Sequence, residues 1–323
     1  MNIEKKISDR IKVISFYAML CVIGWHCFCG SRLERYVIPL FYWSVPWFFV
    51  VSGAFFALTV KQRSIRQIVR AKFRSLAVPY LVWSILGSVV LGNICGAGLA
   101  DLFCFTSSRM YPVGNQALWY LRALIVFNVI GIVLWYSLRW VGRYSCWLVS
   151  VMFICTAMIV NRYLIPISTG SSSFYFAIGM LIPRVANLRV RGLLSFYLLI
   201  GALAAKVSWF LCGYDFYSAG GNVLTNLSTM LFIGAIWNGI DSLPNLLGIC
   251  VAESAVSSVS ALCYFMHFPI ARKIISYEIE ACAYSRSLLF VINLLFLPVL
   301  FVLTALALKK YLPKVYCIVS GGR

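Results

Sequence analysis

Long apolar runs punctuated by short basic clusters constrain this chain more than any other feature. An apolar stretch of about 18 residues can cross a ~30 Å hydrocarbon layer as a helix, and about ten such stretches follow one another here. They fall at 11–29, 38–60, 77–95, 117–137, 144–161, 173–184, 192–212, 223–240, 252–272 and 287–308. The sixth is too short to cross upright. With 62% apolar and 11% charged residues over 323 positions, almost the whole chain belongs to a membrane domain. The expected fold is all-α: a polytopic membrane protein of about ten transmembrane helices, forming one domain over 1–323 with no internal repeat or linker.

The net charge of +19 would suit nucleic acid if it formed a patch, but the basic residues sit in short loops between apolar runs. With the amino terminus inside, nineteen Lys and Arg fall in the cytoplasmic segments 1–12, 61–74, 139–143, 184–191 and 309–323. Seven fall outside: Arg32, Arg35, Arg109, Arg162, Arg272, Lys273 and Arg286. Basic residues concentrate on the cytoplasmic side of membrane proteins, so this bias places both termini in the cytoplasm and argues against nucleic acid as a partner. Nine spans, or the reverse orientation, would spoil it. The first apolar run has no small-residue cleavage site behind it and reads as a span rather than a removable signal. Twelve cysteines are scattered, mostly inside apolar segments, and suggest no disulfide framework. Cys27 and Cys29 form a CxC with no second pair nearby, so no metal site is expected.

Few residues inside the apolar runs can carry chemistry. His26, one of two histidines, comes 14 residues after Lys12, about 20 Å further along a helix. At that depth an ionisable side chain marks a polar cavity, or else a helix end wetted by headgroups. His267 lies in CYFMHFPI near the outer end of the ninth span, at similar depth. It reads either as a partner of His26 in an outward-opening pocket, where neutral imidazole serves as general base, or as a residue bonded to backbone. The second span holds Pro46, Ser52 and Gly53, which predict a kinked or opened helix, or close helix packing through small residues. In the fourth, Trp119 and Tyr120 suit an aromatic belt, whereas Arg122, a turn deeper, needs a partner, a cavity or a bound anion. The loop KQRSIRQIVRAKFR, Lys61 to Arg74, holds six positive charges and no negative one. On a helix, Arg63, Arg66, Arg70 and Arg74 share a face that suits anionic lipid or the phosphates of a cytoplasmic ligand.

Taken in order, these pieces resemble the acyltransferase 3 family of bacterial integral membrane acyltransferases. The similar features are a first span ending in histidine, VPWFFVVSG, the basic loop with RSIR, and LAVPYLVW. LWYLRALIV, SFYFAIGMLIP, CYFMHFPI and LPKVYCIVSGGR follow, so that the likeness covers essentially the whole chain. It implies a multi-pass protein of the bacterial cytoplasmic (inner) membrane, with no bound cofactor. The implied reaction transfers an acyl group, usually acetyl from acetyl-CoA, to a sugar hydroxyl of a surface or secreted glycan, free or lipid-linked. By position, His26 would be the catalytic histidine, Arg63 and Arg66 the cytoplasmic arginine pair that with Lys12 binds the donor, and Ser52-Gly53 the Ser-Gly motif. Ser52 and Gly53, with Trp119, Arg122 and His267, would line the acceptor pocket. One position departs from the family: Ser15 stands where an arginine or lysine precedes the histidine across ten residues, and Lys12 lies one turn earlier. Two rival functions fit the same features, a transporter or flippase of a polar or lipid-linked substrate and a non-catalytic partner in glycan assembly. A transporter would need neither His26 nor acyl-CoA.

Overall fold

A computed structural model of the protein describes residues 3–92, 114–164, 171–185, 192–211, 219–239, 257–281 and 285–322. Every regular element among them is helical. The first half contains α1 (Ile3–Trp25), α2 (Ser44–Gln62), α3 (Ile65–Lys72), α4 (Val78–Leu91), α5 (Trp119–Leu138) and α6 (Ser145–Ile159). The second contains α7 (Ser172–Val185), α8 (Gly192–Leu211), α9 (Ala219–Gly239), α10 (Ser260–Ala281), α11 (Arg286–Tyr311) and α12 (Pro313–Val319). Each of the expected apolar runs carries one of these helices, α3 and α12 being additional short ones. The ends of four runs, 93–95, 212, 240 and 252–256, lie outside the described residues, as do Arg109, Arg189, Arg191 and Arg323 of the charge count. Among the described residues, five helical stretches are long and apolar enough to cross a membrane: Glu34–Gln62, Ile65–Leu91, Gln116–Gly142, Ser145–Tyr163 and Arg286–Tyr311. Ile11–Trp25, Ser172–Ile182 and Leu194–Trp209 are apolar but shorter.

The core forms around α1. Ile11, Ile14, Ala18, Met19, Val22 and Ile23 are buried at three- and four-residue spacing, so one stripe of the helix faces inward. That stripe meets α2, α10 and α11. On the other side of α2, Phe56, Phe127, Phe153 and Phe176 stack in a chain that joins α2, α5, α6 and α7. Lipid tails are as apolar as these rings, so close packing rather than removal from water holds them together. The carboxyl-terminal α12 is tied beneath the bundle by Trp83 Nε1, which donates to Val319 O at 2.9 Å, and by Tyr316 OH, which donates to Ser258 O at 2.6 Å.

Three local features depart from the sequence expectations, each for a physical reason. The second span is not opened at Ser52-Gly53: α2 runs unbroken as helix from Ser44 to Gln62. It begins only at Ser44, so Pro46 falls in the first turn, where its missing N–H breaks no helical bond. Gly53 instead lets α7 approach, because an added Cβ would run into the Phe176 carbonyl, and one on Gly179 would run into that of Val50. The basic stretch is not a single helical stripe. α2 ends at Gln62, Arg63 is extended (φ −123°, ψ 151°), and Ser64 starts α3 with a capping box to Gln67. Arg66 and Arg70 lie on α3, while Arg74 lies in a π turn, Phe73–Ala77, that feeds α4. Pro79 accounts for that turn: it has no N–H for the Ser75 carbonyl, and the Val78 N–H reaches back five residues to Phe73 O. Finally, the ninth run extends as helix beyond its expected end at 272, to Ala281.

Candidate active site

His26 sits just past the end of α1, whose last turn tightens as the His26 N–H donates to Ile23 O at 2.9 Å. The following loop is folded back by the buried Glu34 carboxylate, which accepts from Cys29 N–H at 2.7 Å and Ser31 N–H at 3.0 Å. Cys27 Sγ lies 3.5 Å from Asn293 O of α11, fixing the loop against that helix. The imidazole of His26 is half-buried, and Phe268 meets it edge-on at 5.1 Å.

The ring of His267 lies 5.0 Å from that of His26, centroid to centroid, and is wholly buried. His267 occupies the interior of α10, two residues before Pro269. Proline has no N–H to give the carbonyl four residues back, which leaves Phe265 O to another donor, and Asn115 Nδ2 donates to it at 2.8 Å. The segment preceding α5 thereby braces α10 beside the histidine. His267 Nδ1 lies 2.5 Å from Tyr264 O, while its Nε2 is buried without a hydrogen-bond partner.

A line of side chains leads from this pair into the bundle. The Tyr264 ring is 5.5 Å from His267 and 5.6 Å from Tyr120, and its hydroxyl donates to Ala117 O. Tyr120 OH and Ser52 Oγ are hydrogen-bonded at 3.2 Å. Four helices therefore contribute: α1 leads into His26, α2 carries Ser52, α5 Tyr120, and α10 both Tyr264 and His267.

The structure places the other expected residues as follows. Gly53 is taken up by packing on α7. Trp119 is half-buried against Phe49, with ring centroids 6.0 Å apart. Arg122 is buried in α5, at 3% exposure. Lys12, Arg63 and Arg66 are exposed at the far end of the helices, Lys12 about 20 Å down α1 from His26. Ser15 accepts a hydrogen bond from Trp47 Nε1 at 3.1 Å. Sequence reasoning gave no role to Tyr264, Asn115 or Trp47, and took Tyr120 for a belt residue although it is buried. Only Asn115 had a readable signal: a proline four residues beyond Phe265 announces a carbonyl that needs a donor. Among the described residues no group of three His, Cys, Asp or Glu side chains could hold a metal ion.

A family model described as an acyltransferase domain, acyltransferase 3, matches residues 10–308. The chain belongs to the acyltransferase 3 family. No curated protein and no solved structure gives a significant match. Membership makes the protein a membrane acyltransferase, and a histidine pair at the end of a buried tyrosine path is chemistry suited to such an enzyme. An imidazole can take a proton from a hydroxyl, and nearby hydroxyls can orient the reacting groups.

Proposed function

We propose that this acyltransferase moves an acetyl group from cytoplasmic acetyl-CoA to a hydroxyl of a cell-surface or secreted glycan, free or lipid-linked. It would work in the bacterial cytoplasmic membrane through ten spans, with both termini in the cytoplasm. The observation that carries the reading is the pairing of the chain's two histidines, His26 and His267, beside a hydrogen-bonded Ser52–Tyr120 contact. The donor's phosphates dock on the exposed cytoplasmic side, at Arg63 and Arg66 with Lys12, where guanidinium forks match phosphate oxygens. The thioester end reaches into the bundle, and the acceptor arrives from the outer side.

His26 takes the proton of the acceptor hydroxyl as its oxygen attacks the thioester carbonyl carbon. A C–O bond forms, the C–S bond breaks, and Coenzyme A leaves as thiolate and recovers the proton from His26. Arg122 and Trp119 serve the acceptor pocket, Arg122 by opposing the charge that develops on the carbonyl oxygen.

The test is the O-acetyl ester content of surface glycan from cells carrying the wild-type chain, the His26→Ala variant, or neither. Esters are expected only with the wild type, with the variant inserted at equal level. Identical esters in wild type and His26→Ala would refute the role of His26, and identical esters in all three would refute acetyl transfer to that glycan.

A further inference from the structure

His267 is buried with one ring nitrogen satisfied and the other not, and this fixes what it can do. A carbonyl oxygen only accepts, so the 2.5 Å contact with Tyr264 O requires the proton on Nδ1. A neutral imidazole with Nδ1–H carries its lone pair on Nε2. That atom is buried without a partner, a costly state that a donor would relieve. Asn115 acts on α10 through the Phe265 carbonyl, and Tyr264 directs its own hydroxyl to Ala117 O. Of the rings that meet it, His26 is nearer than Tyr264, at 5.0 Å between centroids and a 46° tilt against 5.5 Å. Less the two ring radii, that spacing brings facing nitrogens within hydrogen-bond reach after a modest turn of the half-buried His26 ring.

We propose that His267 is a positioning residue for His26: its Nε2 accepts the N–H of the His26 imidazole, holding that ring in the one tautomer whose lone pair faces the acceptor hydroxyl. The inference deepens the proposed transfer reaction and rests on it for its catalytic meaning. In the ground state the bond orients the base. Once His26 has taken the hydroxyl proton, the same lone pair supports the imidazolium. His267 itself neither gains nor loses a proton, because Nδ1–H stays on the Tyr264 carbonyl. Phe268, edge-on to the His26 ring at 5.1 Å, limits how far that ring can turn.

With two histidines in the chain, the test is direct. The full chain, labelled with nitrogen-15 at histidine and reconstituted in lipid nanodiscs, should give two imidazole spectra, assigned by His26→Ala. His267 should be a pure Nδ1–H tautomer whose Nε2 shift shows an accepted hydrogen bond, and His26 should be a single tautomer. In His267→Leu, His26 should divide between both tautomers. In His267→Gln, whose amide oxygen can accept, it should remain single. Hydrolysis of acetyl-CoA, with water in place of the acceptor, should slow about tenfold in His267→Leu, one hydrogen bond's worth, with little change in KM, and recover in His267→Gln.

An Nε2–H tautomer for His267 in the wild type would overturn the proposal, as would an unchanged His26 spectrum in His267→Leu. The wild-type spectrum decides the matter even where a variant does not fold. If the wild type leaves acetyl-CoA intact, the proposed donor fails while the tautomers still decide the pairing.

Discussion

Replacing Gly53 by alanine should destabilise this protein even though alanine is the better helix former. The added Cβ would overlap the carbonyl oxygen of Phe176 and lie 3.0 Å from its carbonyl carbon and 3.1 Å from Met180 N. All three are backbone atoms of α7, so no side-chain rotation relieves the contact and the two helices must separate. A gap of ~0.5–1 Å forfeits a quarter to a half of each van der Waals well along the seam. Overpacking of this kind costs ~1–3 kcal/mol, and a backbone-on-backbone clash belongs at the upper end. Helix propensity returns ~1 kcal/mol, which leaves a net loss of about 2 kcal/mol. Thermal unfolding in nanodiscs, followed by the emission of the ten tryptophans, should show Gly53→Ala melting several degrees below the wild type. Gly201→Ala is the control, since its Cβ would meet only the end of the Leu231 side chain at 3.3 Å. If Gly53→Ala melts at or above the wild type while Gly201→Ala behaves as expected, α2 and α7 do not approach as described.

Asn115→Leu leaves the Phe265 carbonyl without its donor and should cost about 1–3 kcal/mol in the same melt. The loss should be smaller in a Pro269→Ala background, because the substituted residue regains a backbone N–H that can bond the Phe265 carbonyl. Arg63→Ala and Arg66→Ala should each raise the KM for acetyl-CoA about tenfold at low salt, as expected for a lost charge-assisted bond to phosphate. Because both arginines are exposed, the effect should shrink as ionic strength rises; an effect independent of salt would count against phosphate docking. A fluorescent protein fused after Arg323 should be bright and a phosphatase fused there inactive. The opposite pattern would refute a cytoplasmic carboxyl terminus and the even number of spans.

The helical, membrane-embedded character was legible because apolar length is a one-dimensional property, and α2, α5 and α11 follow directly from it. The similar depth of His26 and His267 was equally legible, since depth is counted along each helix. Their contact was not, because sequence periodicity does not say which helices are neighbours. The fate of Gly53 turned on the same gap: a small residue inside a span fits a kink or a close approach, and only the position of α7 decides. Arg63 left the expected stripe because Ser64 and Gln67 form a capping box, a local signal strong enough to restart the helix within an otherwise continuous basic pattern. Tyr120 looked like a belt residue from its place near a helix end. Its burial follows from Ser52 across the helix interface, a partner 68 positions away.

The Ser15–Trp47 hydrogen bond bears on where this enzyme keeps its positive charge. Ser15 stands about 16 Å below His26 on α1, at the position where the family resemblance implies a basic residue. Trp47, fully buried, fills that place and satisfies its indole N–H on the serine, while its ring packs 6.0 Å from Trp237 of α9. A lysine or arginine at Ser15 would bring a charge into this apolar contact, and a charge in the membrane interior needs a counter-charge or water. The neutral pair needs neither. Lys12, a turn lower, is exposed, as are Arg63, Arg66 and Arg70 between α2 and α4. The cationic groups suited to an anionic donor thus lie at the ends of the helices away from His26. If the proposed reaction holds, phosphate binding and proton transfer are then separated along α1 by the length between Lys12 and His26, about 20 Å, with an uncharged hydrogen bond between them.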